Sequence, residues 1–133
     1  MDILCEADIV ELLVFNIPQV FGEHADHAVE VGTHGRAKTD LCVLVGDKLI
    51  AIEAKYSNRR RAIGQAYLNR YYADHSYIAV LGSHITGQLA ADARRWRLGI
   101  LSVSQAGVSV AIPAPAAFPD LNLRARVIGT AFS

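Results

Sequence analysis

Apolar and polar residues recur along the chain with two periods, one typical of helices and one of β-strands. Ile3, Val10 and Leu13 recur at helical spacing, whereas residues 39–56 are rich in β-branched and aliphatic side chains. The predicted elements, in chain order, are a helix over 2–16, strands over 28–31, 39–45 and 48–56, a helix over 58–73, a strand over 76–81, a helix over 87–97, and strands over 99–103 and 108–112. This order predicts the α/β class, with a mixed central sheet flanked by helices.

The dipeptide Gly46-Asp47 separates two strands that are apolar on both faces. Glycine at the first central position supplies the positive φ of a type II′ turn, so we predict a two-residue hairpin. With this turn, Val45 faces Lys48 and, further along the hairpin, Asp40 faces Glu53. Strands that are apolar on both faces suit a sheet that is covered by helices on each side.

The chain has 133 residues, the length of one ordinary domain, and shows no repeat or linker before residue 113. We therefore expect a single domain over residues 1–112. Pro113, Pro115 and Pro119 interrupt regular structure in the remaining residues, 113–133. We expect this apolar C-terminal tail to pack on the domain or on a partner subunit.

Composition argues against a disordered chain, because 52% of the residues are apolar and only 20% are charged. Charged or polar residues interrupt every apolar stretch well short of ~18 residues, so we expect no membrane span. Acidic residues near the N-terminus stand where a secretion signal carries Lys or Arg, and a cytoplasmic location is the expectation. Lys plus Arg and Asp plus Glu number 13 each, so net charge favours no class of partner.

The cysteines and histidines do not form a metal-binding pattern. Cys5 and Cys42 both lie in apolar sequence, and we interpret them as small buried hydrophobic residues rather than a disulfide or a metal site. His24, His27 and His34 lack a matching Cys or His pair elsewhere, so we do not expect zinc.

The predicted hairpin instead brings two acids together. Asp40 and Glu53 would have Cβ atoms ~4.5–5.5 Å apart, where like charges destabilise a sheet. Lys55 lies two residues beyond Glu53 and projects from the same face. Two carboxylates beside an ammonium suit Mg²⁺ or Mn²⁺, and the backbone carbonyl of Ala54 could add an oxygen ligand. The alternative is a surface ion pair, but the neighbouring residues are apolar, so we favour a metal site that activates water.

At these positions the sequence resembles the PD-(D/E)XK nuclease superfamily. The resemblance is carried by Asp40 in TDLCVLV and by the E-A-K of Glu53-Ala54-Lys55 in LIAIEAK, and it extends over roughly residues 2–103. It implies a restriction-endonuclease-like α-β-β-β-α-β core with a further helix and strands toward the C-terminus. It also implies that Asp40 and Glu53 bind the metal and that Lys55 assists the attacking water. Thr39 stands where the superfamily often has Pro.

Many superfamily members carry a further acid on the first helix, and Glu6 and Glu11 compete for this role. Glu6 interrupts the apolar stripe that should face the sheet, and the spacing E-x-x-I-V resembles the first helix of archaeal Holliday-junction resolvases. Glu11 lies nearer Leu4 and Val14, where a solvated acid is the ordinary outcome. We therefore favour Glu6 as a metal ligand.

Gln65 lies in a run, Gly64 to Tyr71, that resembles the glutamine-bearing helix found after the E-x-K strand in several branches of the superfamily. That resemblance implies that Gln65 helps to fix the lysine or a phosphate. The stricter Q-x-x-x-Y form is not met, because Asn69 stands at the Tyr position. The alternative is a helix amide at a sheet interface.

Two arginine clusters, residues 59–61 and residues 94–97, concentrate positive charge. Arg59, Arg60 and Arg61 directly follow the strand that carries Glu53 and could hold a nucleic-acid backbone, or could form a solvated helix start. His34, upstream of Asp40, could reach a phosphate from a loop or lie on an ordinary surface. We interpret the tyrosines of the following helix as packing residues rather than base-stacking platforms.

The hypothesis that combines these features is a Mg²⁺- or Mn²⁺-dependent nuclease that uses water as nucleophile. Its expected partner is nucleic acid, DNA rather than RNA, with selectivity supplied by substrate shape, by a homodimer or by an associated specificity protein. One alternative is a non-catalytic nucleic-acid-binding or interaction module on the same fold. The other is an RNA-cleaving toxin of the same superfamily.

Overall fold

Six β-strands form one mixed sheet, and helices cover both of its faces. The structure is a computed structural model that describes residues 2–34, 37–57 and 59–133. Its elements are α1 Glu6–Phe15, α2 Ile17–Phe21, β1 Asp26–His34, β2 Ala37–Val45, β3 Lys48–Ala54, α3 Arg59–Asn69, β4 His75–Leu81, a 3₁₀ turn Gly82–His84, α4 Gly87–Arg95, β5 Gly99–Ser104, β6 Gly107–Ile112 and α5 Leu121–Ala131. The predicted α/β class with a mixed, helix-flanked sheet is confirmed.

The strands are arranged in the sheet in the same order as in the chain. β1, β2 and β3 pair antiparallel, β3, β4 and β5 pair parallel, and β6 returns antiparallel to β5. Parallel neighbours need a crossover connection, and α3 and α4 supply the two crossovers. The end of β3 therefore lies in the middle of the sheet, between an antiparallel neighbour and a parallel one.

The central hairpin has the predicted turn and register. Gly46 has a φ of 60°, whereas Asp47 does not adopt a positive φ, which matches a type II′ turn. The ladder runs from Val45↔Lys48 to Leu41↔Ile52. Successive side chains of each hairpin strand point to opposite faces of the sheet, so each strand buries apolar residues on both faces.

The core consists of one layer on each face of the sheet. On one face, Ile9 and Leu13 of α1 pack against Leu41 and Ile52. Full burial of each of these side chains contributes roughly 1.5–3 kcal/mol relative to exposure. On the other face, the residues of α3, α4 and α5 pack against the remaining strand positions, as two neighbouring clusters.

The C-terminal segment contains a helix that the prolines obscured in the sequence. The side chain of Asp120 accepts a hydrogen bond from the N–H of Leu123 (2.9 Å) and caps α5. Val127 of α5 is buried in the cluster that includes Cys42 of β2, and Arg124 bonds Asp74 at 3.0 Å. These contacts are with the sheet of the same chain.

Several element boundaries and one cysteine differ from the predictions. α3 ends at Asn69 rather than at residue 73, and β1 spans Asp26–His34 rather than 28–31. α1 ends at Phe15, and Pro18 lies in the first turn of α2, where its missing N–H costs nothing. Cys42 is buried and Cys5 is exposed, and both are free thiols. The prediction that Cys5 is buried is wrong because Cys5 caps α1 together with Asp8, whose carboxylate accepts the N–H groups of residues 4 and 5. Among the described residues, no helix combines the length and apolarity needed to cross a membrane.

Candidate active site

The pairing of β2 with β3 ends at Leu41↔Ile52, one pair short of the predicted Asp40–Glu53 pair. Oδ2 of Asp40 accepts a hydrogen bond from the backbone N–H of Ala54 at 2.8 Å, so a side chain takes the place of a ladder bond. The strands part at this point, and the acids lie at the gap. The structure thus brings Asp40 and Glu53 together at a strand end rather than within a regular ladder.

Glu53 is a buried acid, with 2% of its surface exposed. The pKa of Glu53 is raised to about 8, chiefly by burial and to a smaller extent by the negative charge of Asp40, against the opposing effects of a hydrogen bond from Asn69 and the charge of Lys55. Among the described residues, no cation lies within salt-bridge distance of Glu53. A buried carboxyl group of this kind, beside another acid, is typical of a functional position.

A buried polar network holds the carboxyl group of Glu53. Nδ2 of Asn69 donates to Oε1 of Glu53 at 3.0 Å, and Oδ1 of Asn69 accepts from the hydroxyl of Thr39 at 3.3 Å. The hydroxyl of Tyr72 is also hydrogen-bonded to that of Thr39. Sequence reasoning treated Asn69 and Thr39 only as departures from the family pattern. The signal that could have found Asn69 is its position four residues after Gln65, on the same face of α3.

Lys55 follows β3 and continues the sheet, because its N–H donates to the carbonyl of Ala79 at 3.0 Å. Its Nζ lies 3.6 Å from Oε1 of Glu6, and the side chain of Lys55 is 15% exposed. Glu11 is exposed and takes no part in this pair. Of the two candidate acids on α1, the structure therefore places Glu6 beside the lysine.

Two cavities adjoin the acids. One, of about 100 Å³, is lined by Glu53, Gln65 and Asn69 on the α3 side of the gap, and Oε1 of Gln65 is buried there with no hydrogen-bond partner among the described residues. The other, of about 330 Å³, is lined by Glu6, Asp40 and Glu30 on the α1 side. The structure therefore places Gln65 with the Glu53 carboxyl group and Glu6 on the other side of Asp40.

Glu30 is a residue that sequence reasoning missed. It has a φ of 50°, and it lies between the ladder pairs Val29↔Leu41 and Val31↔Thr39. A left-handed residue within a strand re-aims its side chain, and here Glu30 lines the cavity of Asp40. Nothing in the sequence marks it, because its neighbours alternate as ordinary strand residues do.

The predicted nucleic-acid contacts are only partly described. Arg60 and Arg61 are exposed at the start of α3. Arg60 lines a groove of about 590 Å³ together with Tyr56 and His84. The side chains of Arg59 and His34 lie outside the described residues, as does the predicted cap, Asn58.

Comparison with known proteins supports the fold. The SPO1766 protein of unknown function from Silicibacter pomeroyi has a similar structure, with a TM-score of 0.71 and 16% sequence identity over 98% of this chain and 86% of that chain. The Pyrococcus furiosus SfsA structure in complex with Ca²⁺ is a more distant neighbour, with a TM-score of 0.42 and 13% identity over 85% of this chain and 61% of that chain. No family model and no curated protein matches the chain.

Proposed function

We propose that this protein is a metal-dependent nuclease of the PD-(D/E)XK type, which hydrolyses phosphodiester bonds. The observation that carries the proposal is the buried acid Glu53, held beside Asp40 at a strand end, with Lys55 two residues away. Such an arrangement opposes folding unless a positive charge compensates it. A decayed site would have no physical reason to retain it.

The donor atoms suit a divalent cation. Mg²⁺ takes one or two carboxylates and keeps several waters, so Asp40 and Glu53 are sufficient. This matters because the described residues contain no group of three or more His, Cys, Asp or Glu side chains that could hold a metal ion. The unpartnered carbonyl oxygen of Gln65 is a further oxygen donor within the Glu53 cavity.

In this proposal Asp40 and Glu53 would hold Mg²⁺ or Mn²⁺, with the backbone carbonyl of Ala54 as an additional oxygen donor, and Glu6, which pairs with Lys55, takes no part in metal binding. The bound metal supplies positive charge, which lowers the pKa of a bound water and stabilises the charge of the transition state. Lys55 donates a hydrogen bond to the attacking water or to a phosphate oxygen. Glu6 positions the ammonium of Lys55 through their 3.6 Å contact.

The substrate proposed is DNA rather than RNA, held along its phosphates by the basic start of α3. Arg60 and Arg61 are exposed there, and exposed arginines near a phosphodiester site hold the flanking backbone without reading its sequence. Selectivity would then come from a second subunit or from an associated specificity protein.

The test is a cleavage assay with Mg²⁺ or Mn²⁺ on duplex, single-stranded and four-way-junction DNA and on structured RNA. We expect metal-dependent cutting that falls at least about 100-fold in Glu53→Gln and in Lys55→Met, since each variant removes one charged group of the site. Glu6→Gln should also slow cutting, because it removes the charge that holds the ammonium of Lys55. Glu11→Gln is its matched control, because both acids lie on α1 and only Glu6 contacts Lys55.

Two results would contradict the proposal. Full activity of Glu53→Gln would show that Glu53 is not part of the active site. Inactivity of the wild-type protein on all four substrates, with nucleic-acid binding unchanged by a chelator, would indicate the non-catalytic binding module instead.

A further inference from the structure

Aromatic side chains, three of them exposed, cluster with a partly buried arginine around the end of α3. We call this cluster the Arg70 surface, and it consists of Tyr67, Arg70, Tyr71, Trp96 and Phe118. Phe118 is 97% exposed, Tyr71 56% and Trp96 40%. Tyr67, Arg70, Tyr71 and Phe118 line one open cavity of about 210 Å³. Contiguous exposed aromatic residues on this scale are typical of a binding surface.

The exposure of Phe118 is not that of a loose loop. The N–H of Ala117 donates to the carbonyl of Asp74 at 2.8 Å, and the N–H of Asp120 donates to the carbonyl of Tyr71 at 2.8 Å. Backbone bonds thus hold the chain on both sides of Phe118 against the segment that follows α3. The backbone at Phe118 has therefore already lost conformational entropy on folding, although the ring remains exposed to water. This favours binding of a partner to the ring.

Positive charge lies over the aromatic rings. The guanidinium of Arg70 lies 5.7 Å from the ring centre of Tyr67, and the rings of Tyr67 and Trp96 meet edge to face at 5.3 Å. Arg95 lies 5.3 Å from the ring centre of Trp96. Alternating cations and π faces are characteristic of surfaces that bind unpaired nucleic-acid strands.

The charge of Arg70 also lacks a protein partner among the described residues. Its Nε is buried without a hydrogen-bond acceptor. The two acids that adjoin the segment are engaged elsewhere, because Asp74 pairs with Arg124 and Asp120 caps α5. An anionic group in the 210 Å³ cavity that Arg70 lines would compensate the charge of its guanidinium.

We propose that the Arg70 surface binds nucleotides of an unpaired strand, with bases stacked on Tyr71 and Phe118 and a phosphate paired with Arg70. The identity of the ligand rests on the proposed nuclease function. The surface adjoins the Glu53 cavity, because Leu68 lines that cavity and its carbonyl accepts the N–H of Tyr71 at 3.1 Å. One strand can therefore contact both, and the preferred substrate has a single-stranded segment beside the cut.

The test measures binding in the absence of cleavage. Trp96 is the single tryptophan of the chain, so its fluorescence reports directly on the Arg70 surface. Wild-type protein in chelator is titrated with oligodeoxythymidylate of about 10 nucleotides, a length typical of single-strand sites. We expect quenching of Trp96 and an affinity that falls about tenfold in Phe118→Ala and in Tyr71→Ala, with a larger fall in the double variant. Phe15→Ala is the matched control, because Phe15 is also exposed, at 78%, and lies at the end of α1.

Equal affinity of wild-type, Phe118→Ala and Tyr71→Ala proteins would overturn the proposal. So would a wild-type dimer that Phe118→Ala converts to a monomer without any change in oligonucleotide affinity, since the surface would then be a subunit interface. The outcome is separable from the proposed function. Binding lost in Phe118→Ala, in a protein that cuts no substrate, would support this surface and contradict the nuclease. Cutting that Phe118→Ala leaves unchanged would support the nuclease and contradict this surface.

Discussion

The buried carboxyl group of Glu53 makes the stability of the metal-free protein depend on pH in an unusual direction. Because burial raises the pKa of Glu53 from 4.5 to about 8, the folded state holds a proton that the unfolded state has lost between these values. The stability associated with this proton is fully present below pH ~4.5 and is lost as the pH rises through about 8. We predict that Glu53→Gln abolishes this loss.

The size of the effect follows from the pKa difference. Each pKa unit corresponds to about 1.4 kcal/mol, so the wild-type protein should lose about 2 kcal/mol by pH ~6 and about 4 kcal/mol by pH ~8. Gln at position 53 has no charge to lose and retains an oxygen that can accept from Nδ2 of Asn69. Cys42, whose pKa burial raises to about 12, does not confuse the comparison, because both proteins contain this thiol and its contribution is common to them.

The assay is urea unfolding of both proteins in chelator at several pH values from 5 to 9. The difference between their free energies of unfolding should grow with pH, in favour of the variant. Added Mg²⁺ at pH ~8 should restore stability to the wild-type protein and not to Glu53→Gln, because the metal binds the ionised carboxylate. Parallel curves for the two proteins, or a wild-type protein that gains stability relative to the variant above pH ~6, would refute the reasoning.

Two further predictions concern the free energy of unfolding. Glu30→Gly should stabilise the protein by about 1 kcal/mol, because glycine adopts the observed φ of 50° without strain. Thermal unfolding beside the exposed control Glu23→Gly measures this, and a fall relative to wild type would contradict it. Asp74→Ala should cost about 2 kcal/mol, because Oδ2 of Asp74 accepts from the N–H of Leu49 at 2.7 Å and from Arg124 at 3.0 Å. Urea unfolding with Asp47→Ala as control checks it, and equal losses in the two variants would argue against it.

Strand pairing could be predicted from the sequence wherever the pattern was local. A turn with glycine at position 46 sets the hairpin register, because a two-residue loop leaves no freedom of pairing. The two strands β5 and β6 were also predicted, and they pair antiparallel across a short turn. α5 was not predicted, because three prolines precede it and its apolar residues gain their stability only by packing on the sheet.

The proximity of Asp40 and Glu53 could also be predicted, because the hairpin register brings these two positions close together. The ion pair of Lys55 with Glu6 depends on how α1 crosses the sheet, so spacing could favour Glu6 over Glu11 without specifying its partner. Glu30 was out of reach for a different reason. Its left-handed backbone is imposed by the tertiary structure, and a β-strand pattern gives no sign of it.

The two positions at which the sequence departs from the pattern of the superfamily that it resembles lie in one chain of hydrogen bonds. A threonine before Asp40 and an asparagine four residues after Gln65 look like separate losses in the sequence, yet Thr39 donates to Asn69 and Asn69 donates to Glu53. Tyr72, one turn beyond Asn69, completes the chain of hydrogen bonds at Thr39. Each of these polar groups would be costly if buried alone, and together they are satisfied. The position at which the stricter pattern has Tyr therefore carries an amide here, and this amide orients the buried carboxyl group of Glu53.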